Sequence, residues 1–182
     1  DMTVYVGGGQ PVFEFILPQE CIDEANTVID SWMEQDKPSP AASNIVARQT
    51  EWDMQMPKCK AYATLCCKMI SNLIYNTGGR CYGGLDDGTT DLEFDVRDCW
   101  GADFQPGDYV KPHAHYPADF AAVGYLRLGE GASPILFDGR NPYYPSEKQL
   151  LIFDAKMQHE VPVTSAHRRC FAMNLYKRPG TF

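Results

Sequence analysis

The spacing of apolar residues changes about halfway along the chain. Between residues 18 and 36, Ile22, Ala25, Ile29, Trp32 and Met33 recur three or four positions apart, with acidic residues between them. That is the period of an amphipathic helix with one buried face. Pro18 suits its first turn and Pro38 ends the pattern. A second helix is predicted over 58–76, with Tyr62, Leu65, Cys66, Met69, Ile70 and Leu73 as its apolar stripe. Thr77-Gly78-Gly79 stops it. From residue 91 the texture becomes that of short β-prone runs: DLEFDVRDCW, GDYVKPHAH, DFAAVGYLRL, SPILFD, QLLIFDA, HEVPV and RRCFAMNLY. Gln105-Pro106-Gly107, Gly129-Glu130-Gly131 and Asp138-Gly139-Arg140-Asn141-Pro142 supply turns between them. Short strands at this spacing predict a sandwich or barrel. Helices first and strands afterwards give an α+β chain. With no linker and no internal repeat, residues 1–182 read as one domain: 1–90 is mainly helical support and loop, and 91–182 is the β core.

Composition narrows the function. The 182 residues suffice for one sizeable core, and 44% hydrophobic with 22% charged residues is ordinary for a soluble globular chain. A formal net charge of −8 argues against a general nucleic-acid binder, which needs a basic face to neutralise phosphates. No apolar run approaches a membrane span. The VYVGGGQPVFEF stretch lacks the basic and apolar regions of a secretory leader, so the expected location is cytoplasmic. The seven cysteines show no C-x-x-C spacing. Cys66 and Cys67 fall in the helical pattern and read as small buried hydrophobes, and free thiols suit a reducing compartment.

Candidate chemistry centres on KPHAHYPADF, residues 111–120, which holds two of the four histidines. In extended chain, residues i and i+2 point to the same face, so His113 and His115 can reach one point. His159 follows a later strand and is placed to supply a third, distant ligand if the strands close on each other. Imidazole suits iron, zinc, copper or nickel, and a three-ligand set leaves positions open for substrate, as a catalytic site requires. The plain alternative is three histidines that merely pack. The Gly-rich segments at 6–10 and 78–90 lack the Lys-Ser/Thr ending of a phosphate loop and read as turns.

WGADFQPGDYVKPHAHYPADFAAVGYLRL and FDAKMQHEVPVTSAHRRCFAMNLY together resemble the two halves of the core in iron(II)- and 2-oxoglutarate-dependent oxygenases. The likeness is to a branch with an H-x-H-P motif and covers residues 92–178. It implies a double-stranded β-helix, the jelly-roll and cupin-like architecture of prolyl hydroxylases, with the N-terminal helices as support. It places His113 on the first metal ligand and His159 on the distal one. His115 stands where most members have Asp or Glu. It either ligates, or leaves the shell to Asp119 or water. Arg168, nine residues after His159, falls on the anchor for the far carboxylate of 2-oxoglutarate, and Asn174 on the family's Asn. A guanidinium fork matches a carboxylate in bidentate fashion. Arg169 competes for that role, because strand alternation sends one of the pair inward. His167 is expected to face out.

The resemblance implies a hydroxylase using Fe(II), 2-oxoglutarate and dioxygen. Its cosubstrate would be decarboxylated to succinate, and its substrate would be a peptidyl side chain such as proline, an amino acid or a small metabolite. Two alternatives remain open. GDYVKPHAHYPAD also resembles a cupin motif, and three-His cupins include thiol dioxygenases that need no 2-oxoglutarate. A jelly-roll binding module without catalysis is the other. Substrate contacts are expected from the loops at 78–90 and 138–148, the latter offering Arg140, Tyr143 and Tyr144. Oligomeric state is not legible.

Overall fold

The computed structural model describes residues 2–7, 10–76 and 92–179. Both expected helices are present. Helix α1 spans Gln19–Met33, with Pro18 at its N-cap, and buries Cys21, Ile22, Ala25, Ile29 and Trp32. Helix α2 spans Pro57–Asn76. Its inner face differs from the expected stripe. Cys59, Ala63, Cys66, Cys67 and Ile70 are buried, whereas Leu65, Met69 and Leu73 are exposed. The small residues let α2 lie close against α1 and the sheet, so bulk alone mislocated the stripe. Neither helix is long and apolar enough to cross a membrane.

The chain does not begin with helices. Strands β1 (Thr3–Gly7) and β2 (Gln10–Ile16) precede α1 as an antiparallel pair. Val12 faces one core while Phe13 and Phe15 face another, so β2 lacks the one-sided alternation that announces a strand. Two short strands, β3 (Ile45–Val46) and β4 (Arg48–Gln49), lie between the helices. The second half supplies β5 (Leu92–Phe104), β6 (Tyr109–His113), β7 (Phe120–Leu128), β8 (Ile135–Phe137), β9 (Asn141–Tyr143), β10 (Gln149–Asp154), β11 (His159–Val161) and β12 (Arg168–Pro179). All seven expected runs are strands, and β9 is an addition inside the expected 138–148 loop.

These strands form two sheets. The larger runs β1-β2-β10-β7-β12-β5-β4 and the smaller β3-β6-β11-β8-β9. From β5 to β12 the chain passes between the sheets, so β5, β7, β10 and β12 face β6, β8, β9 and β11. This is the double-stranded β-helix, an eight-stranded jelly roll, and the helices cover the outer face of its larger sheet.

Two cores follow. One joins α1 and α2 to the outer face of the large sheet through Phe13, Ile29, Ile70, Phe94, Phe171 and Leu175. The other fills the space between the sheets with Phe104, Tyr125, Ile135, Phe137, Leu151 and Phe153. At Gly101 and Gly124, which flank Phe171 on β5 and β7, any Cβ would collide with Ile29 or with the Phe171 ring. Bare backbone there lets α1 and the Phe171 ring lie directly on the sheet.

Candidate metal centre and its buried pocket

The three histidines are brought together by pairing in the small sheet. His113 ends β6, His159 begins β11, and the two are antiparallel register partners. His115 lies just past β6, its backbone N–H donating to the Ala155 carbonyl at 2.7 Å. The ligand atoms of the three rings lie within 4.8 Å of one another. Nε2 of His115 and Nε2 of His159 are 3.0 Å apart. Adjacent register and i, i+2 spacing thus converge on one point, as extended geometry requires.

Two of the rings are oriented by their own backbone. Nδ1 of His113 lies 2.7 Å from the Lys111 carbonyl, and Nδ1 of His159 lies 3.0 Å from that of Met157. A carbonyl only accepts, so both nitrogens carry the proton and both Nε2 atoms keep a lone pair. Burial pushes all three imidazoles toward the neutral form. His159 is lowered to about 3, by desolvation and then by its two neighbours. His115 is lowered to about 4, by desolvation and then by His113, with Asn174 opposing. His113 is lowered chiefly by desolvation, with the Lys111 carbonyl opposing. Neutral imidazoles clustered this tightly are the form a divalent metal accepts.

Behind the histidines, a pocket runs between the sheets, walled by Trp100, Phe104, Val110, Val123, Ile135 and Val161. Arg168 enters it from β12 and is 2% exposed. Its guanidinium lies 5.0 Å from the Phe104 ring centroid and 5.4 Å from that of Tyr125. No carboxylate pairs with it among the described residues, and its Nε is buried without a hydrogen-bond partner. The Tyr125 hydroxyl, also buried in this pocket, lies beside the Arg168 guanidinium. Desolvation raises its pKa and the neighbouring Arg168 opposes.

Arg169 points the other way. It donates to Asp103 at 2.7 Å and Asp30 at 2.6 Å, with Asn26 at 3.3 Å, and so ties β12 to β5 and α1. His167 also differs from its expected place in solvent. It is only partly exposed, and its Nε2 bonds Asp103 at 2.8 Å. Asn174 shares a strand face with Arg168 but lies apart from the Arg168 pocket. It sits beside His115 and donates to Asp98 at 3.0 Å. Asp119 is not among the clustered groups. Its carboxylate accepts the Lys177 backbone N–H at 2.8 Å and meets the Lys177 ammonium at 3.8 Å.

The loop expectations fare unevenly. Tyr143 is buried, its hydroxyl donating to Glu14 at 2.5 Å, so it is a structural side chain. Tyr144 is 71% exposed. The loop at 78–90 lies outside the described residues. Sequence reasoning missed Tyr125, which carried only the signal of an aromatic in an apolar strand. It also missed Trp100, whose ring stacks on His115 at 5.7 Å between centroids.

No family model matches the chain, and no curated protein does. Solved structures do match in shape. A Pseudomonas putida prolyl-4-hydroxylase is 18% identical with a TM-score of 0.59, the match covering 93% of this chain and 94% of that one. A prolyl hydroxylase from Trichoplax adhaerens, in complex with a hypoxia inducible factor oxygen degradation domain peptide, is 16% identical with a TM-score of 0.57 over 91% and 83% of the two chains. The viral collagen prolyl hydroxylase of Paramecium Bursaria Chlorella virus-1, in its 2-oxoglutarate complex, is 16% identical with a TM-score of 0.53 over 90% and 94%. At this identity the likeness establishes architecture: the chain has the double-stranded β-helix fold of prolyl hydroxylases.

Proposed function

We propose that the protein is an Fe(II)- and 2-oxoglutarate-dependent oxygenase that hydroxylates a peptidyl side chain, an amino acid or another small molecule. The observation that carries this reading is the unpaired Arg168 guanidinium buried in the pocket that the three histidines also line. An isolated buried cation is costly, so a site that keeps one calls for an anionic ligand. A dicarboxylate with a 2-oxo group matches both ends. One carboxylate meets Arg168 and the Tyr125 hydroxyl, and the 2-oxo acid end lies toward the histidines. The apolar walls suit the methylenes between.

His113, His115 and His159 would hold the iron, and Arg168 with Tyr125 would hold the cosubstrate. Iron with 2-oxoglutarate supplies the oxidising power for hydroxylation, with succinate and carbon dioxide as coproducts. The protein's own residues bind, orient and exclude water. Likeness in fold to prolyl hydroxylases supports the reading and makes a prolyl side chain the first substrate to try. Location in the cytoplasm remains part of the proposal.

One observation favours a second reading. Three imidazoles with no carboxylate are also the donor set of a cupin-type thiol dioxygenase. A single experiment separates the two. Fe(II) is added without oxygen, and 2-oxoglutarate is titrated while the visible spectrum is recorded. A weak charge-transfer band that saturates, and is lost in Arg168→Ala while iron content stays unchanged, is the expected result. Iron binding with no such band would discard the 2-oxoglutarate reading and turn the test to small thiols.

A further inference from the structure

The histidines stand between two cavities of opposite character. The pocket behind them holds Arg168. A second cleft shares His113, His115 and Trp100 with that pocket and adds Trp52, Tyr116, Tyr176, Asp98 and Asn174. Tyr116 is 76% exposed and Trp52 38%, so this cleft opens to solvent. Strand register explains the split. Arg168 pairs with Phe104, Cys170 with Ala102, Ala172 with Trp100 and Asn174 with Asp98, in that order along β12 and β5. Alternate residues share a face, so all of these side chains line one continuous inner surface. Six residues separate Arg168 from Asn174, or about 20 Å of strand. A five-carbon diacid anchored at Arg168 does not reach Asp98, and the outer cleft calls for a different ligand.

Asp98 is the one lining residue with a full charge, because the histidines are held neutral. Its Oδ2 accepts from Asn174 Nδ2 at 3.0 Å, which orients the carboxylate without neutralising it. No cation pairs with it among the described residues. Arg97, the extra residue of the bulge beside it, is exposed and does not line the cleft. Its guanidinium lies over the Tyr176 ring, 4.0 Å from the centroid. The other walls are ring surfaces, with Trp52 and Trp100 meeting edge to face at 4.9 Å. Aromatic faces are electron-rich and attract organic cations, and an oriented carboxylate adds a full opposite charge. The net charge of −8 favours the approach of a cation as well.

We propose that this cleft takes the substrate by a cationic group, an alkyl ammonium or guanidinium of the lysine or arginine type, with Asp98 as its counter-ion and Trp52 and Tyr116 flanking its stem. The inference rests on the oxygenase reading above and narrows its substrate class. Asn174 holds the Asp98 carboxylate in place. A neutral prolyl ring would leave that carboxylate unmet. The arrangement also sorts the two ligands by charge: the dicarboxylate is drawn to Arg168 and repelled at Asp98, and the cation is drawn to Asp98 and repelled at Arg168.

The test compares charged and uncharged probes of the same shape. Nα-acetyl-lysine amide and Nα-acetyl-arginine amide are titrated calorimetrically into the metal-free protein, each against its neutral counterpart built on norleucine or citrulline. The charged member of each pair should bind about 10–100-fold tighter, as a charge-assisted hydrogen bond predicts. Asp98→Asn keeps the shape and should erase the difference. Tyr116→Ala removes an exposed ring and should weaken cation binding a few-fold. Equal affinity within both pairs overturns the proposal, as does a preference that survives Asp98→Asn. If Asp98→Asn does not fold, the paired probes and Tyr116→Ala decide. If no probe binds, the titration is repeated with Fe(II) and 2-oxoglutarate present and oxygen excluded, and silence there also overturns it. A prolyl peptide that outbinds every charged probe discards the cation. Short peptides with a central lysine or arginine, set against the free amino acids, identify the source of the cationic group. Cation binding that depends on Asp98, in a protein that shows no 2-oxoglutarate band with iron, would remove the oxygenase reading and leave the cation site standing.

Discussion

Arg168 and Arg169 are neighbours in sequence and opposites in circumstance. Arg169, on the helix side of the large sheet, is surrounded by Asp103, Asp30 and Asn26. Arg168, between the sheets, has the rings of Phe104 and Tyr125 for company and no carboxylate among the described residues. Both are buried. The first arrangement is finished within the chain, and in the second no carboxylate among the described residues pairs with the guanidinium. The contrast shows how to read buried charge: one that is paired belongs to the fold, and one that is unpaired belongs to a ligand.

The sharpest way to break this comparison is to remove each guanidinium. Arg169→Ala leaves Asp103 buried beside a lost partner and should cost about 3–5 kcal/mol of stability, read from denaturant unfolding. A loss under about 1 kcal/mol would mean that the network contributes little. Arg168→Leu, by contrast, removes an uncompensated charge and should leave the ligand-free protein as stable or more so. The same change should weaken 2-oxoglutarate binding at least about 100-fold in calorimetric titration with iron present, as loss of a charge-assisted pair predicts. Equal effects of the two substitutions on stability would erase the distinction.

Acid gives a third test. His159 is 5% exposed and its pKa is lowered to about 3, so the folded protein refuses a proton that the unfolded chain accepts near pH 6.5. Stability from this ring is therefore whole above about pH 6.5 and drains as pH falls toward the folded value. The metal-free protein should lose about 1.4 kcal/mol per pH unit from it below that point. His159→Phe should flatten the slope of unfolding free energy against pH, and an unchanged slope would place the acid sensitivity elsewhere. The smallest effect is expected from Tyr125→Phe. It deletes one neutral hydroxyl and should weaken 2-oxoglutarate binding only a few-fold, consistent with about 1 kcal/mol per hydrogen bond.

Much of the site was legible because its signals were local. The i, i+2 pair at His113 and His115 and the strand before His159 are short-range patterns, while Arg168 was singled out only through the resemblance to the oxygenases. Alternation showed that one of Arg168 and Arg169 must point inward, but not which. That choice depends on where the helices lie, and α1 approaches β12 from far along the sequence. Asp98, the partner of Asn174, was hidden for the same reason, the two being 76 residues apart and opposed only by register. The face of α2 was misread because large side chains outweigh small ones in a periodicity argument. In the fold Cys59, Ala63, Cys66 and Cys67 point inward. Strands β1 and β2 escaped notice because β2 buries side chains on both of its faces.

The ends of the two sheets also bear on how copies of this chain meet each other. The small sheet ends in β3, two residues long, and β9, three residues long and interrupted by Pro142, which has no N–H to offer. The large sheet ends in β4, again two residues, and in β1, five residues without a charge. Open backbone on a sheet edge is a template for another strand, and brevity and proline are the usual protections. Among the described residues, three of the four ends have such protection. Among the described residues, β1 is therefore the sheet end most open to a strand from another copy.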